Sequence, residues 1–414
     1  MNEPEYVTEQ RRLNALCRRW RAAGRFAFDT EFIRDDTFDA TLCLVQATTD
    51  GEIALIDPTA GLDLAPFWAL VTDPDILTIV HAGKEDFEVC LTKTGHPPRN
   101  VFDVQIAAGF VGLGYPLSLA RLVHMALGQR IAKGQTLTDW SRRPLTQEQL
   151  RYAAEDVVHL PDLYQTLARR LKDNGRMAWA AEEFATFEQA TLYRKPVEQR
   201  LFKIKGSKRL DGLGLLVLER LIEWREQWAR SRNRPIRVMM RDDVLLAIAK
   251  RRPTRARDLE ILRGFPHSRK SRVTQQVLDV VREALQAPPE QWPKPHEVRE
   301  ADPMQKAALS ILAGFVRAVC HEEQLAHELV GSTQRLTEML DHLRGREPEK
   351  PLLLRGWREA FIGRRLVSLL QGRTALRLTG WPARLRLDAI PHKPKDSARP
   401  RTGRSVARRP RPTP

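Results

Sequence analysis

The sequence predicts an α/β domain over residues 1–190 followed by all-α helical domains, and three observations predict it. Short apolar or β-branched runs alternate with amphipathic helical stretches through about the first 170 residues, the mixture expected of a sheet covered by helices. Beyond about residue 190 the strand signal disappears and helical spacing takes over. Positive charge is concentrated in that second half. Residues 220–272 carry 16 Lys/Arg against 6 Asp/Glu, and residues 391–414 carry 8 against 1, so that the rest of a chain of net charge +16 is close to neutral. A localised positive field suits a polyanion-binding module attached to something that is not itself a basic binder, although an arginine-rich solvated surface would give the same count.

In chain order, residues 9–22 read as an amphipathic helix. Residues 25–28, 42–47, 53–57 and 77–81 read as strands, each short and bounded by turn residues. Helical spacing returns over residues 85–93 and 117–127, and over one longer stretch from residue 147 to about residue 171. In the second half, residues 213–230, 242–250, 256–262 and 269–285 read as helices. Pro253 and Gly264-Phe265-Pro266 punctuate them. These helices define a domain over residues 207–290 that runs into a proline-rich linker near residues 287–296. A second helical domain is expected over residues 297–388, broken near residues 346–351 and near Gly372. Residues 391–414 hold six prolines, eight basic residues and almost no large apolar side chains. They cannot bury enough surface to offset ordering entropy and are expected to be disordered.

Several classes are excluded or made unfavourable. The longest apolar runs are too short to cross a bilayer, and residues 1–12 lack the apolar core of a secretory signal, so a cytoplasmic location is the default. Cys17, Cys43, Cys90 and Cys320 lie far apart and form no C-x-x-C pair, which points to buried thiols rather than a zinc site or disulfide framework. No G-x-x-x-x-G-K-[ST] phosphate loop occurs, which argues against a helicase.

Chemistry is concentrated in carboxylates. Asp29-Thr30-Glu31 ends the first predicted strand, and residues i and i+2 of a strand share a face, so the two acids project together. D-x-E occurs four times in the chain, and a lone copy is commonly a solvated turn. Asp29 is set apart by the apolar residues before it. Asp86 falls in the first turn of the helix that follows His81-Ala82-Gly83, where the helix dipole favours a carboxylate and where an aspartate is also an ordinary cap. His81, at the strand end, has both a structural and a substrate-contacting reading. Tyr152 and Asp156 share a face of a helix whose start carries the capping-box pair Thr146 and Gln149. Of the five tyrosines, Tyr152 alone has an aspartate four residues later. Gathered in one place, Asp29, Glu31, Asp86 and Asp156 would repel one another and stay ionised only beside cations. Hard oxygen ligands select Mg²⁺ or Mn²⁺, and two such ions can activate a water and stabilise the leaving 3′ oxygen of a phosphodiester.

The runs Phe28-Asp29-Thr30-Glu31-Phe32, His81-Ala82-Gly83-Lys84-Glu85-Asp86 and Tyr152-Ala153-Ala154-Glu155-Asp156 resemble, in order, the three exonuclease motifs of the ribonuclease D family, in the DEDDy branch of the DEDD exonucleases. Leu44-Val45-Gln46, Ile56-Asp57-Pro58, Phe102-Asp103-Val104-Gln105 and Thr138-Asp139-Trp140 with Arg143-Pro144-Leu145-Thr146 extend the match. The resemblance implies a ribonuclease-H-like fold and 3′–5′ exonuclease activity on RNA such as tRNA precursors. It also implies that Asp29, Glu31, Asp86 and Asp156 hold two divalent ions while Tyr152 orients the attacking water. Residues 207–290, with Ile222, Trp224 and Trp228 at helical spacing, are similar to an HRDC module, and residues 328–343 with Gly356-Trp357-Arg358-Glu359 resemble a second one. Lys133 and Arg143 are candidates for the phosphates of the substrate strand. Arg251, Arg252, Arg255 and Arg257 are candidates for sequence-independent phosphate contact. Asp103 and Asp139 read as structural, and Trp224 and Trp228 as core. The alternatives are a 3′–5′ DNA exonuclease using the same carboxylates, and a noncatalytic HRDC nucleic-acid-binding adaptor.

Overall fold

The computed structural model describes residues 3–34, 37–49, 51–131, 138–194, 196–265, 271–295, 302–380 and 386–391. The chain divides into two compact units between Asp302 and Pro303.

The first unit opens with β1 (Glu5–Val7), α1 (Gln10–Ala23), β2 (Arg25–Ile33), β3 (Thr41–Thr49) and β4 (Glu52–Ile56). There follow α2 (Ala65–Val71), β5 (Leu77–Val80), α3 (Lys84–Thr94), β6 (Val101–Asp103), α4 (Val104–Phe110) and α5 (Leu119–Leu127). The six strands form one sheet in the order β1-β4-β3-β2-β5-β6. The β2–β3 and β3–β4 pairs are antiparallel, and the other three are parallel. Side chains alternate across a strand, so Phe26 and Phe28 of β2 fall on one face and Ala27, Asp29 and Glu31 on the other. Phe26 and Phe28 join Trp20 of α1, Phe67 and Trp68 of α2 and Phe87 of α3 in one aromatic core. Its ring centroids stand 5.5 Å apart for Phe28 and Phe67 and 5.9 Å for Trp20 and Phe26, the spacing of favourable edge-to-face and offset pairs.

The opposite face is covered by helices that arrive later in the chain, α6 (Gln147–Val158) and α7 (Leu160–Asp173), with α8 (Met177–Phe184) packing on β6. The single long helix expected from residue 147 to about 171 is therefore two. Pro161 sits in the first turn of α7, where its missing N–H costs nothing, and the chain turns at His159. The strand expected over residues 25–28 also runs on to Ile33, which places Asp29-Thr30-Glu31 inside β2; a register irregularity follows directly, between Glu31 and Phe32. The three-residue strands β1 and β6 were too short to carry a periodic signal.

The same unit continues with α9 (Val197–Leu201), α10 (Gly212–Ser231), α11 (Ile236–Met239), α12 (Asp242–Arg251), α13 (Ala256–Glu260) and α14 (Arg272–Gln286). Leu218, Leu221 and Ile222 of α10 pack with Leu245 and Ile248 of α12 and Val277 and Val281 of α14. Trp224 is buried and stacks on Trp228 at 5.2 Å, so this pair belongs to the core. This helical group is tied to the sheet half through the loop after β2. The Phe38 backbone N–H donates to Asn233 Oδ1 at 3.2 Å, and the Arg230 guanidinium lies 4.5 Å over the Phe38 ring.

The second unit contains α15 (Pro303–Glu322), α16 (His327–Val330), α17 (Thr333–Leu343) and a helical stretch from Gly356 to Leu370 that widens into a π turn over Glu359–Gly363. A Cβ at Gly363 would stand 2.2 Å from the Leu353 carbonyl oxygen, so the close approach needs glycine. Arg358 is buried and donates to the carbonyls of Leu329 and Val330. The all-α expectation for this region needs one correction: β7 (Thr374–Thr379) and β8 (Arg386–Pro391) form an antiparallel hairpin. Its period-two alternation spans only six residues a side, too few to stand out beside the helices before it. A disordered tail was expected over residues 391–414; Pro391 ends β8, and residues 392–414 lie outside the described residues. All four cysteines are free and buried, and no helix of the described residues is long and apolar enough to cross a membrane.

Candidate active site

Three separate pieces of chain bring the acids together. Strand β2 supplies Asp29 and Glu31 to the sheet face beneath α6. Helix α6, whose capping box holds both halves of the Thr146–Gln149 exchange, presents Tyr152 and Asp156 to the same face. Helix α3 supplies Asp86 from its first turn, and Asp86 is only 6% exposed. The Thr30 hydroxyl donates to Asp86 Oδ1. Thr30 thus joins the β2 strand to α3 from the reverse side of the sheet, a contact that sequence periodicity did not reveal.

The electrostatics show how crowded the cluster is. Burial first, and then the facing charges of Asp86, Asp156 and Glu31, push Asp29 well above the usual carboxylate range. Glu31 is pushed up to about 8 by burial and by Asp156 and Asp86. Burial takes Asp156 up to about 7 against the lowering influence of the Tyr152 hydroxyl, and takes Asp86 up to about 6 against the lowering influence of Thr30. Tyr152 is in turn raised above its ordinary value by burial and by Asp156, Glu31 and Asp29. None of the four carboxyls has a Lys or Arg partner among the described residues. An uncompensated set of buried acids must take up protons or cations, and its all-oxygen chemistry fits a hard divalent ion. As the side chains are placed, no group of three or more His, Cys, Asp or Glu residues among the described residues is arranged to hold a metal ion. The acids face one another closely enough to perturb each other without closing on a common centre.

The remaining expected contacts divide. The Arg143 Nε and Nη2 donate to Asp57 at 2.6 and 2.7 Å, Nη2 also to the Cys43 carbonyl at 2.7 Å, and Nη1 to the Trp140 and Arg142 carbonyls at 2.9 and 2.8 Å. These contacts occupy the full donor capacity of a guanidinium, so the expectation of a phosphate contact for Arg143 is corrected: the side chain pins the segment before α6 to the sheet. Asp57 accepts from Tyr6 as well. Burial raises its pKa, but the hydrogen bonds from Arg143, Tyr6 and Thr59 outweigh that and hold it below the usual range. Arg252 adopts a left-handed conformation at the end of α12 and pairs with Asp211, the N-cap of α10. Arg251 and Arg255 are exposed and carry no ion pair among the described residues, and Arg257 is exposed beside Asp258.

His81 belongs to a fold-holding network. Its Nε2 lies 2.9 Å from the Leu117 carbonyl, which also accepts from Gln105 Nε2 at 2.8 Å, and burial lowers its pKa. Asp103, buried and the N-cap of α4, accepts from the backbone N–H groups of Gly83, Gln105 and Ile106. It thereby fixes the turn from which α3 carries Asp86. At that turn Ala82 has φ of 57°, and a Cβ on Gly83 would meet Val80 at 2.6 Å. Asp139 is exposed and bonds to Ser141 and Arg142. Lys133 lies outside the described residues. A surface cavity of about 850 Å³ is lined by Thr41, Leu62, Trp68 and Asn233 among others and contains none of these acids.

Known proteins resemble the chain over most of its length. Residues 4–172 match a 3′–5′ exonuclease family, residues 215–281 an HRDC domain, and residues 303–366 the C-terminal HRDC domain of ribonuclease D. Ribonuclease D of a Shewanella species is 34% identical over 88% of the chain and 94% of that protein. The ribonuclease D of Pseudomonas paraeruginosa is 34% identical over 89% of the chain and 98% of that protein. The crystal structure of Escherichia coli RNase D, described as an exoribonuclease involved in structured RNA processing, superposes with a TM-score of 0.77 at 29% identity. It covers 90% of the chain and 99% of its own length. With an exonuclease half, two HRDC matches and near full-length identity of this order, the chain belongs to the ribonuclease D family of 3′–5′ exoribonucleases.

Proposed function

We propose that the chain trims the 3′ ends of structured RNA such as tRNA precursors, and that its hydrolytic centre is the set Asp29, Glu31, Asp86, Asp156 and Tyr152. The observation that carries the assignment is the gathering of four carboxyls from three elements with no basic partner among the described residues. In this reading Asp29, Glu31, Asp86 and Asp156 hold two divalent cations, Mg²⁺ or Mn²⁺. When bound, such a pair supplies charge neutralisation for the scissile phosphate and lowers the cost of forming hydroxide. Asp86 is kept in place by Thr30, and Asp29 and Glu31 by the strand itself. The Tyr152 hydroxyl, set against Asp156, orients the attacking water with respect to the last phosphodiester.

The division of labour along the chain follows. Residues 1–190 carry the chemistry, residues 207–290 and 297–388 carry the two HRDC-type helical domains, and exposed Arg251 and Arg255 supply phosphate contacts whose strength falls with salt. A cytoplasmic setting is part of the same proposal.

The test follows a 5′-labelled tRNA precursor and a DNA strand of matched sequence with Mg²⁺, with Mn²⁺ and with EDTA. The expected result is stepwise shortening of the RNA from its 3′ end that needs the cation and is lost in Asp29→Asn. Preference for the DNA, or shortening that persists in EDTA, overturns the reading.

A further inference from the structure

Gln46 is a polar side chain that neither the fold nor the chemistry so far explains. It sits in the middle of β3 with no exposed surface, and both atoms of its amide group, Oε1 and Nε2, are buried without a hydrogen-bond partner. A buried amide with neither half satisfied is strongly disfavoured, and such a group in a native core needs a reason. Its position supplies one. In the β2–β3 register Gln46 lies directly opposite Asp29, and on its other side it is paired with Leu55 of β4. Directly opposed residues of an antiparallel pair point to the same face with Cβ atoms about 5 Å apart, well within reach of a glutamine side chain. That face is the one α6 covers with Ala153, Ala154 and Val157, all buried. Beside Gln46 on this face, β2 brings Asp29 and Glu31, both of the proposed hydrolytic centre.

From this we propose that Gln46 is a positioning residue for Asp29, its amide N–H donating to the carboxylate oxygen of Asp29 that a bound cation leaves free. The inference rests on the proposed role of Asp29 as a cation ligand. A carboxylate held by a cation offers the amide a charged acceptor directly across the strand pair, and a charge-assisted bond fixes the orientation of the ligand.

The test titrates Mn²⁺ into the full chain by calorimetry, alongside Tm in EDTA, for the natural protein, Gln46→Met, Gln46→Leu and Asp29→Asn. Methionine keeps the length and volume of glutamine and removes the polar atoms, and leucine provides a second shape. The expected result is that Gln46→Met weakens Mn²⁺ binding by about 10- to 100-fold, the range for loss of a partner that orients a metal ligand, while its Tm in EDTA is equal to or above that of the natural protein. A Gln46→Met protein that is folded and binds Mn²⁺ unchanged, while Asp29→Asn does not, overturns the role of Gln46 and leaves the carboxylate centre standing. Lowered Tm in EDTA with unchanged Mn²⁺ affinity in both Gln46 variants marks a purely structural residue and overturns it equally. Unchanged Mn²⁺ binding in Asp29→Asn overturns the centre itself and the role of Gln46 with it.

Discussion

Stripping divalent cations from the protein should invert the way its stability depends on pH. Glu31 moves from 4.5 to about 8 on folding, Asp156 from 3.8 to about 7 and Asp86 from 3.8 to about 6, with burial the first cause in each case. An acid whose pKa is raised in the folded state binds its proton more tightly there. Its contribution to stability is therefore complete below the ordinary value near 4 and is lost as pH rises through 6, 7 and 8. At about 1.4 kcal/mol per pH unit, the Glu31 displacement alone corresponds to ~5 kcal/mol. Because the acids titrate together, protons leave the cluster in shared steps that belong to the set rather than to one residue, and ~5 kcal/mol is the least the whole set contributes. In a unit of this size that is a fall of about 10 °C in Tm between pH 5 and pH 8.5. Scanning calorimetry in EDTA across that window measures it, and a parallel series with saturating Mn²⁺ should remove the fall, because binding of a cation to the ionised set stabilises the folded state. A Tm in EDTA that stays level or rises over this range would refute the premise that these carboxyls are crowded and uncompensated.

Four further outcomes follow from the geometry. Asp156→Asn should lower hydrolysis by about 10³-fold, the scale for loss of a group that stabilises developing charge, while filter binding shows RNA still retained. Tyr152→Phe, which keeps the ring against Trp140 at 6.0 Å, should slow turnover by about 10²-fold, as expected for misoriented reactants, with calorimetry showing Mn²⁺ affinity unchanged. Arg143→Met strands the buried Asp57 carboxylate, so urea unfolding should show a loss of about 3–5 kcal/mol, and Arg143→Lys should not restore it because one ammonium cannot replace the fork. Replacing Arg251 and Arg255 by alanine should weaken RNA binding at all sequences and flatten the log–log salt slope by about 0.7 for each phosphate that is no longer neutralised.

The site was legible in the sequence to an uneven degree. Asp29 with Glu31 and Tyr152 with Asp156 could be paired because strand and helix periods fix which side chains share a face, and both pairs do so. Asp86 was recognisable only through its neighbours in order along the chain, since an aspartate in a first helical turn looks the same whether it caps or catalyses. Arg143 and Arg252 show their charge in the sequence and nothing of its partners; Asp57 and Asp211 face them from 86 and 41 residues away. Thr30 and Gln46 fall inside the family-like runs, yet neither residue type announces chemistry of its own. The hairpin of β7 and β8 escaped because a short period-two pattern is weak beside a strong helical one.

The sequence by itself determined the order of elements, the α/β character of the first half, the helical character of most of the second, and the family to which the motifs point, because these depend on local periodicity and on residue types at short spacing. Tertiary structure alone decided which arginines are already paired, which threonine holds Asp86, and that a buried amide stands across from Asp29. Those facts depend on contacts between residues far apart in the chain, formed only when β2, β3, α3 and α6 are packed, and no local pattern encodes the electrostatic burden the four acids place on one another once water is removed.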